Sequence, residues 1–166
     1  GEEIPIVSDS PMLNQGKPTD RIFPITERKS EIVFREIPSA PVPSLLRNFS
    51  APVKLEYEYT REELYFLMVH DSDNFNRWNA SQLLAVDLIN ELQSTKAIQD
   101  SEIYPILGKA YREVLLNALD GKLIDKAMIT HLLSLPTKSF LIEHAQAADI
   151  DLIHGAREQV ANQLSS

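Results

Sequence analysis

Four histidines are the first residues in this chain that could do chemistry: His70, His131, His144 and His154. A hydrolytic zinc site built on one helix needs H-E-x-x-H. That spacing turns two imidazoles to one face and leaves the glutamate to act as general base. The sequence has no such motif. Glu143-His144 is followed by Ala-Gln-Ala-Ala-Asp, and His154 lies ten residues beyond His144, on a different predicted helix. Each histidine therefore reads as a solvated or locally hydrogen-bonded side chain. There is no cysteine, so neither a disulfide framework nor a thiolate metal site can form.

Other constellations fail in similar ways. Asp71, Asp73 and Asp87 could be pictured around a cation. They lack the glycine turn and closing glutamate of a calcium loop, and helix capping with a solvated face accounts for them. Gly16, Gly108, Gly121 and Gly155 are isolated, which excludes a phosphate-cradling glycine loop. Ser44, Ser50 and Ser81 have no adjacent base or strained nucleophile turn. Phe75 and Trp78 read as core packing in preference to a binding platform. Tyr57 and Tyr59 are expected to pack a strand against the helix that follows. No catalytic, cofactor-binding or metal-ligating residue is assigned.

Composition bounds the classes. The 166 residues are 43% hydrophobic and 24% charged, which is ordinary globular material for one or two small domains. The net charge of −8 sits mostly in the second part of the chain. An acidic surface argues against nucleic acid, whose binding relies on neutralising phosphates. No apolar run approaches the roughly 18–20 residues that span a bilayer, so no membrane partner is expected. The opening GEEIPIVSDS has no basic region before an apolar core, so it does not read as a signal peptide. The missing cysteines fit a reducing compartment, and a cytoplasmic location is the expectation.

The elements change character near Tyr59. Eight of the ten prolines precede residue 60, and Pro41, Pro43 and Pro52 deny a continuous helix. Short strands are predicted at Ile4 to Val7, Arg21 to Thr26 and Glu31 to Ile37, with a cleaner one at Val53 to Tyr59. In the last, Val53, Leu55, Tyr57 and Tyr59 face inward and Lys54, Glu56 and Glu58 outward. Asn14 to Asp20 reads as a loop. Four strands fall short of the roughly seven of an immunoglobulin-type sandwich. Thr60-Arg61-Glu62-Glu63 then reads as a capping box that opens a helical region. Its first helix uses Leu64, Leu67, Met68 and Phe66 and stops near Asp71. A second runs from Phe75 to Gln93, with Trp78, Leu84, Leu88 and Leu92 on one face, widened by Phe75, Val86 and Ile89. Thr95 to Ser101 connects it to a third, Glu102 to Leu119, which buries Leu107, Ala110, Val114, Leu115 and Ala118 and ends at Asp120-Gly121. Ile124 to Leu133 forms a fourth. Thr137 caps a fifth, running to about Ala147, and Asp149 a sixth, from Ile150 to Leu164.

Three stretches carry a resemblance: PVPSLLRNFSAPVKLEYEY, LYFLMVHDSDNFNRWNASQLLA and, more loosely, AYREVLLNALDGKLIDKAMITHLLSLPT. In the order and spacing of proline, aromatic and tryptophan positions they resemble the bacterial aminopeptidase N family of zinc-dependent alanyl aminopeptidases. The resemblance implies an internal piece of such an enzyme, lying after the catalytic domain. Residues 1–59 would be the C-terminal part of a β-sandwich, and residues 60–166 the N-terminal part of a helical domain. The fold class expected is thus α+β: a partial immunoglobulin-like β-sandwich followed by an α-solenoid of HEAT or armadillo type.

The family's exopeptidase loop G-A-M-E-N is absent, as is H-E-x-x-H. Zinc, its ligands, the general base and the transition-state tyrosine would all lie upstream, leaving no cofactor in this fragment. The function implied is a non-catalytic segment that links the sandwich to a helical domain enclosing the active-site chamber. Its partners would be the remainder of the parent polypeptide and, for the parent, short peptide substrates. Self-association of the fragment is a further expectation, because an incomplete sheet leaves an open edge. The alternative is an independent helical module that binds a protein partner.

Overall fold

The computed structural model describes residues 2–13, 17–95, 104–122, 125–144 and 149–164. The chain divides into two compact units, residues 1–52 and 53–166.

In the first unit, regular structure is sparse. Strands β1 (Val7–Ser8) and β2 (Phe34–Arg35) pair antiparallel, with Val7 opposite Arg35 and Ser8 opposite Phe34. An isolated bridge joins Leu13 to Ile22. Side chains fasten the pair: the Ser8 hydroxyl donates to the Val33 carbonyl at 2.7 Å, and Arg35 pairs with Asp9. The Phe23 ring meets Phe34 edge-on at 5.7 Å. A 3₁₀ turn, Arg47–Phe49, follows the left-handed Leu46, and Arg47 Nη1 donates to the Ser44 hydroxyl at 3.0 Å.

The predicted strands are longer than those that form. The Ile4 to Val7 strand is displaced to Val7–Ser8. Arg21 to Thr26 contributes only the Ile22 bridge, next to Pro24, which cannot donate to a ladder. Glu31 to Ile37 shrinks to two residues, because Glu36 adopts a φ of 58°, a left-handed turn that extended pairing does not accommodate. Val53 to Tyr59 forms no ladder among the described residues. Its apolar side chains do not face inward either: Val53, Leu55 and Tyr57 are all exposed. The Tyr57 and Tyr59 rings lie against each other, centroids 4.4 Å apart, and Tyr59 is half-buried.

The second unit is helical. Helix α1 spans Arg61–His70, α2 Asn74–Thr95, α3 Tyr104–Leu119, α4 Lys126–Leu133, α5 Lys138–Glu143 and α6 Ile150–Leu164. Local chemistry starts and stops them. Thr60 Oγ1 accepts from the Glu63 amide at 3.2 Å, while the Glu63 carboxylate accepts from the Thr60 amide at 2.8 Å, so both arms of the capping box are made. The Asp125 carboxylate accepts from the Ala127 and Met128 amides and opens α4. Thr137 and Asp149 do the same for α5 and α6. Helix α3 ends in a Schellman turn: Lys122 N–H donates to Asn117 and Gly121 N–H to Ala118, with Gly121 at a φ of 70° that glycine takes without strain.

The longest helix, α2, is the hub, packing against α1, α3, α4 and α6, while α5 rests on α6. Met68, Leu84, Leu88, Ile89, Leu107, Val114, Leu132, Leu141 and Val160 are fully buried and form the core. Two readings of the apolar faces change. Leu115 is 47% exposed, and Tyr111 takes the buried place on α3. The reason is angular: each residue turns the helix about 100°, so Leu115 lies off the Leu107–Ala110–Val114 stripe. Val69 joins the core beside Leu64, Leu67 and Met68. The predicted start of the third helix at Glu102, that of the fourth at Ile124, the Thr95 to Ser101 connection beyond its first residue and the end of the fifth at Ala147 lie outside the described residues. Among those described, no helix is long and apolar enough to cross a membrane.

Candidate functional site

The polar groups that α2 carries into the interior are the natural place to look for chemistry. Asp73, Asn76, Arg77, Ser81 and Gln82 are all buried. Four of them, Asp73, Arg77, Ser81 and Gln82, have a structural use. Asp73 Oδ1 accepts from the Asn76 amide at 2.9 Å and caps α2. Arg77 reaches back to the end of α1, where Nε donates to the Met68 carbonyl at 3.0 Å and Nη2 to the Val69 carbonyl at 3.4 Å. Burial pulls the Arg77 pKa below the ordinary guanidinium value, and the Asp71 carboxylate opposes that shift. Ser81 donates to the Trp78 carbonyl at 2.7 Å, within its own helix. Gln82 Nε2 donates to the Ser134 carbonyl at 3.0 Å, tying α2 to the α4–α5 connection. Arg157 on α6 holds the same connection through the Pro136 carbonyl at 2.9 Å, and Asn90 donates to the His144 carbonyl at 3.3 Å.

The acids considered for a cation site are engaged elsewhere. Asp71 Oδ1 accepts from the Asp73 amide at 2.8 Å, and Asp87 pairs with Arg61 at 2.9 Å. Ser44 accepts from Arg47, and the Ser50 amide donates to the Arg47 carbonyl.

The histidines are dispersed over four helix ends and faces. His70 ends α1 with its ring 5.0 Å from Phe66. Partial desolvation holds it below the usual imidazole value, with Glu113 acting in the opposite sense. His131 lies exposed in the last turn of α4, its carbonyl accepting from the Ser134 hydroxyl at 2.8 Å. His144 closes α5: its Nδ1 contacts the Phe140 carbonyl at 2.9 Å and its ring stacks on Phe140 at 4.2 Å. His154 Nε2 pairs with Glu158 at 3.3 Å, one turn along α6. Among the described residues, no three His, Asp or Glu side chains converge to hold a metal ion.

Aromatic packing joins α2 to α5. Trp78 lies 5.6 Å from Phe75 and 6.4 Å, edge-on, from Phe140, which continues into the His144 stack. Trp78 and Phe75 are partly buried. Between α1 and α3, Lys109 Nζ sits 4.7 Å from the centroid of the Tyr65 ring. Burial, together with the Glu113 carboxylate, raises the Tyr65 pKa.

These contacts hold helices in register. Sequence reasoning missed Arg77, Gln82, Asn90 and Arg157 as tethers. A signal was available in part: Arg77, Ser81, Leu84 and Leu88 follow helical spacing on one face, so two polar residues continue the apolar stripe.

Comparison with known proteins is consistent across three kinds of match. Residues 61–166 match a domain of unknown function, DUF3458_C, described as ARM repeats, and residues 3–58 match DUF3458, described as an Ig-like fold. Aminopeptidase N of Escherichia coli is 34% identical over 94% of this chain and 18% of its own length. The Caulobacter vibrioides enzyme is 35% identical over 85% of the chain and 16% of its length. That of Haemophilus influenzae is 31% identical over 93% and 17%. The crystal structure of Legionella pneumophila aminopeptidase A, in complex with aspartic acid, superposes with a TM-score of 0.59 at 33% identity, covering 76% of this chain and 14% of that one. The chain thus spans less than a fifth of the length of the relatives it matches, and it belongs to the DUF3458_C family, similar over nearly its whole length to a segment of bacterial aminopeptidase N.

Proposed function

We propose that this chain is a non-catalytic structural segment of a zinc-dependent, cytoplasmic aminopeptidase, linking a β-sandwich to a helical, solenoid-like domain that walls the active-site chamber. One observation carries the reading. The match to aminopeptidase N extends over 94% of the chain, yet the sequence contains no H-E-x-x-H. By similarity, the parent removes N-terminal residues from peptides. Among the described residues, no cluster of His, Asp or Glu fits a zinc site. His131 stands alone on an exposed turn, His144 is engaged with Phe140, and His154 has one carboxylate beside it. Zinc and its ligands would therefore be held by other parts of the parent. The role of this segment is positional: the α2-centred bundle would keep a wall of the chamber at a fixed place, admitting short peptides and excluding folded proteins.

The test has two arms. The natural reading frame should continue on both sides of this segment and carry H-E-x-x-H upstream, which intact mass of the native protein would reflect. The purified 166-residue chain should release no amino acid from alanyl peptides and hold no stoichiometric zinc. One tightly bound zinc per chain, with hydrolysis, would overturn the reading.

A further inference from the structure

Helices α4 and α5 have only eight and six residues, fewer than the roughly 12–15 below which a helix is marginal on its own in water. Their order must come from outside them. The connection between them, Ser134–Thr137, is stiff by sequence. Pro136 locks its own φ and restricts Leu135 before it, and Ser134 and Thr137 are both extended, at ψ of 135° and 157°. Pro136 is fully buried. Two carbonyls of this connection are answered from different helices. Gln82 Nε2 donates from α2 to the Ser134 carbonyl at 3.0 Å, and Arg157 Nε donates from α6 to the Pro136 carbonyl at 2.9 Å.

We propose that Ser134–Thr137 is a rigid coupler, held by Gln82 on one side and Arg157 on the other, through which α2 fixes where α6 lies. The accepting residues are two positions apart, which is about 7 Å of chain at most. Between their carbonyls Leu135 is restricted and the Pro136 φ is locked, so a shift at Ser134 displaces Pro136 as well. A flexible loop would let either bond loosen without the other. Gln82 is 4% exposed, so its amide loses a partner in a dry place if the connection moves, which is costly. Helix α6 also packs directly on α2, and the coupler adds a second route between the same two helices. Gln82 and Arg157 are thus positioning residues that act on each other through the backbone. These contacts are internal to the helical unit, so the inference fails or survives separately from the aminopeptidase reading.

The experiment is native-state amide hydrogen exchange of the 166-residue chain, resolved by NMR, with far-UV circular dichroism to confirm that the helices persist. Two amides report from either side of the connection: Leu132, in the last turn of α4, and Leu141, whose N–H donates to the Thr137 carbonyl at the start of α5. Both side chains are buried. Gln82→Met keeps the side-chain length and removes the donor. It should speed exchange about tenfold at Leu141, beyond the connection, as well as at Leu132. Arg157→Ala should do the same at Leu132, on the far side from its own bond. The double variant should reach only about tenfold to thirtyfold, because the second bond is worth less once the first has released the coupler; independent bonds would multiply to about a hundredfold. Substitutions that speed exchange on one side only, or whose effects multiply in full, overturn the proposal. Should Gln82→Met unfold the chain, the Leu132 amide in Arg157→Ala decides alone: an unchanged rate there refutes the coupler.

Discussion

Arg77 and Met68 are locked together across the α1–α2 turn: the Arg77 Nε–H donates to the Met68 carbonyl at 3.0 Å, with the guanidinium buried and the Met68 side chain fully so. The carbonyls of a helix's last turn have no partner within the helix, and here the residues that carry two of them, Met68 and Val69, are buried. One side chain from the next helix satisfies two of them, Met68 and Val69. The α1–α2 angle is thus set by a charged group that cannot move without stranding buried acceptors.

Replacing Arg77 with Ala should destabilise the helical unit by about 2–4 kcal/mol, because charge-assisted bonds are lost and buried carbonyls are left unmet. Arg77→Lys should recover only part, since a single ammonium does not reproduce the planar fork. Urea denaturation followed at 222 nm measures both. Equal midpoints for wild type and Arg77→Ala would show that water reaches these carbonyls.

The capping box is a different kind of contact, local and visible in four letters. Thr60 and Glu63 each satisfy an amide of the other. Thr60→Ala should cost about 1 kcal/mol, with Glu63→Ala smaller because its carboxylate is replaced by water at an exposed helix start. Thermal melts of the two single variants and the double would read the coupling.

The contrast between these sites explains what was legible in the sequence. Helix starts at Thr60, Thr137 and Asp149 depend on residues within three positions of each other, so the pattern alone reveals them. The Schellman stop at Gly121 is equally local. Arg77, Gln82 and Arg157 act on carbonyls 9, 52 and 21 residues away, and no short window contains both ends. Strands failed for the same reason in reverse. The alternation at Val53 to Tyr59 is real, but a strand is defined by its neighbour, and a period of two says nothing about where that neighbour is. The candidate chemistry was legible mainly as missing motifs, which is why the sequence pointed to a positional role.

Trp78 tests the aromatic join between α2 and α5. It touches Phe75 and Phe140 but is only partly buried. Trp78→Ala should therefore cost about 2–3 kcal/mol, at or below the low end for buried large aromatics. A double-mutant cycle with Phe140→Ala should return a coupling of about 0.5–1.5 kcal/mol. Additive losses would mean that the two rings are neighbours without mutual stabilisation.

Tyr111 offers a change that should strengthen the fold. It is 8% exposed on α3, and its hydroxyl has no hydrogen-bond partner among the described residues. Burial pushes its pKa up from 10.0 to about 12, because the phenolate would be stranded in an apolar setting. The sign follows from proton counting. Between pH 10 and about 12 the folded chain keeps this proton while the unfolded chain releases it. The contribution is therefore fully present below pH 10 and is lost as pH rises toward about 12. Tyr111→Phe removes both the unmet hydroxyl and the titration. At neutral pH it should be as stable as wild type or more so, by about 1 kcal/mol. Above pH 10 it should lose stability less steeply than wild type, with the gap growing to the order of 2 kcal/mol. Denaturant midpoints of both proteins across the alkaline range would measure this. A Tyr111→Phe variant that is weaker at neutral pH would reveal a hydrogen bond to the phenol, and parallel alkaline slopes would show that Tyr111 titrates like an exposed tyrosine.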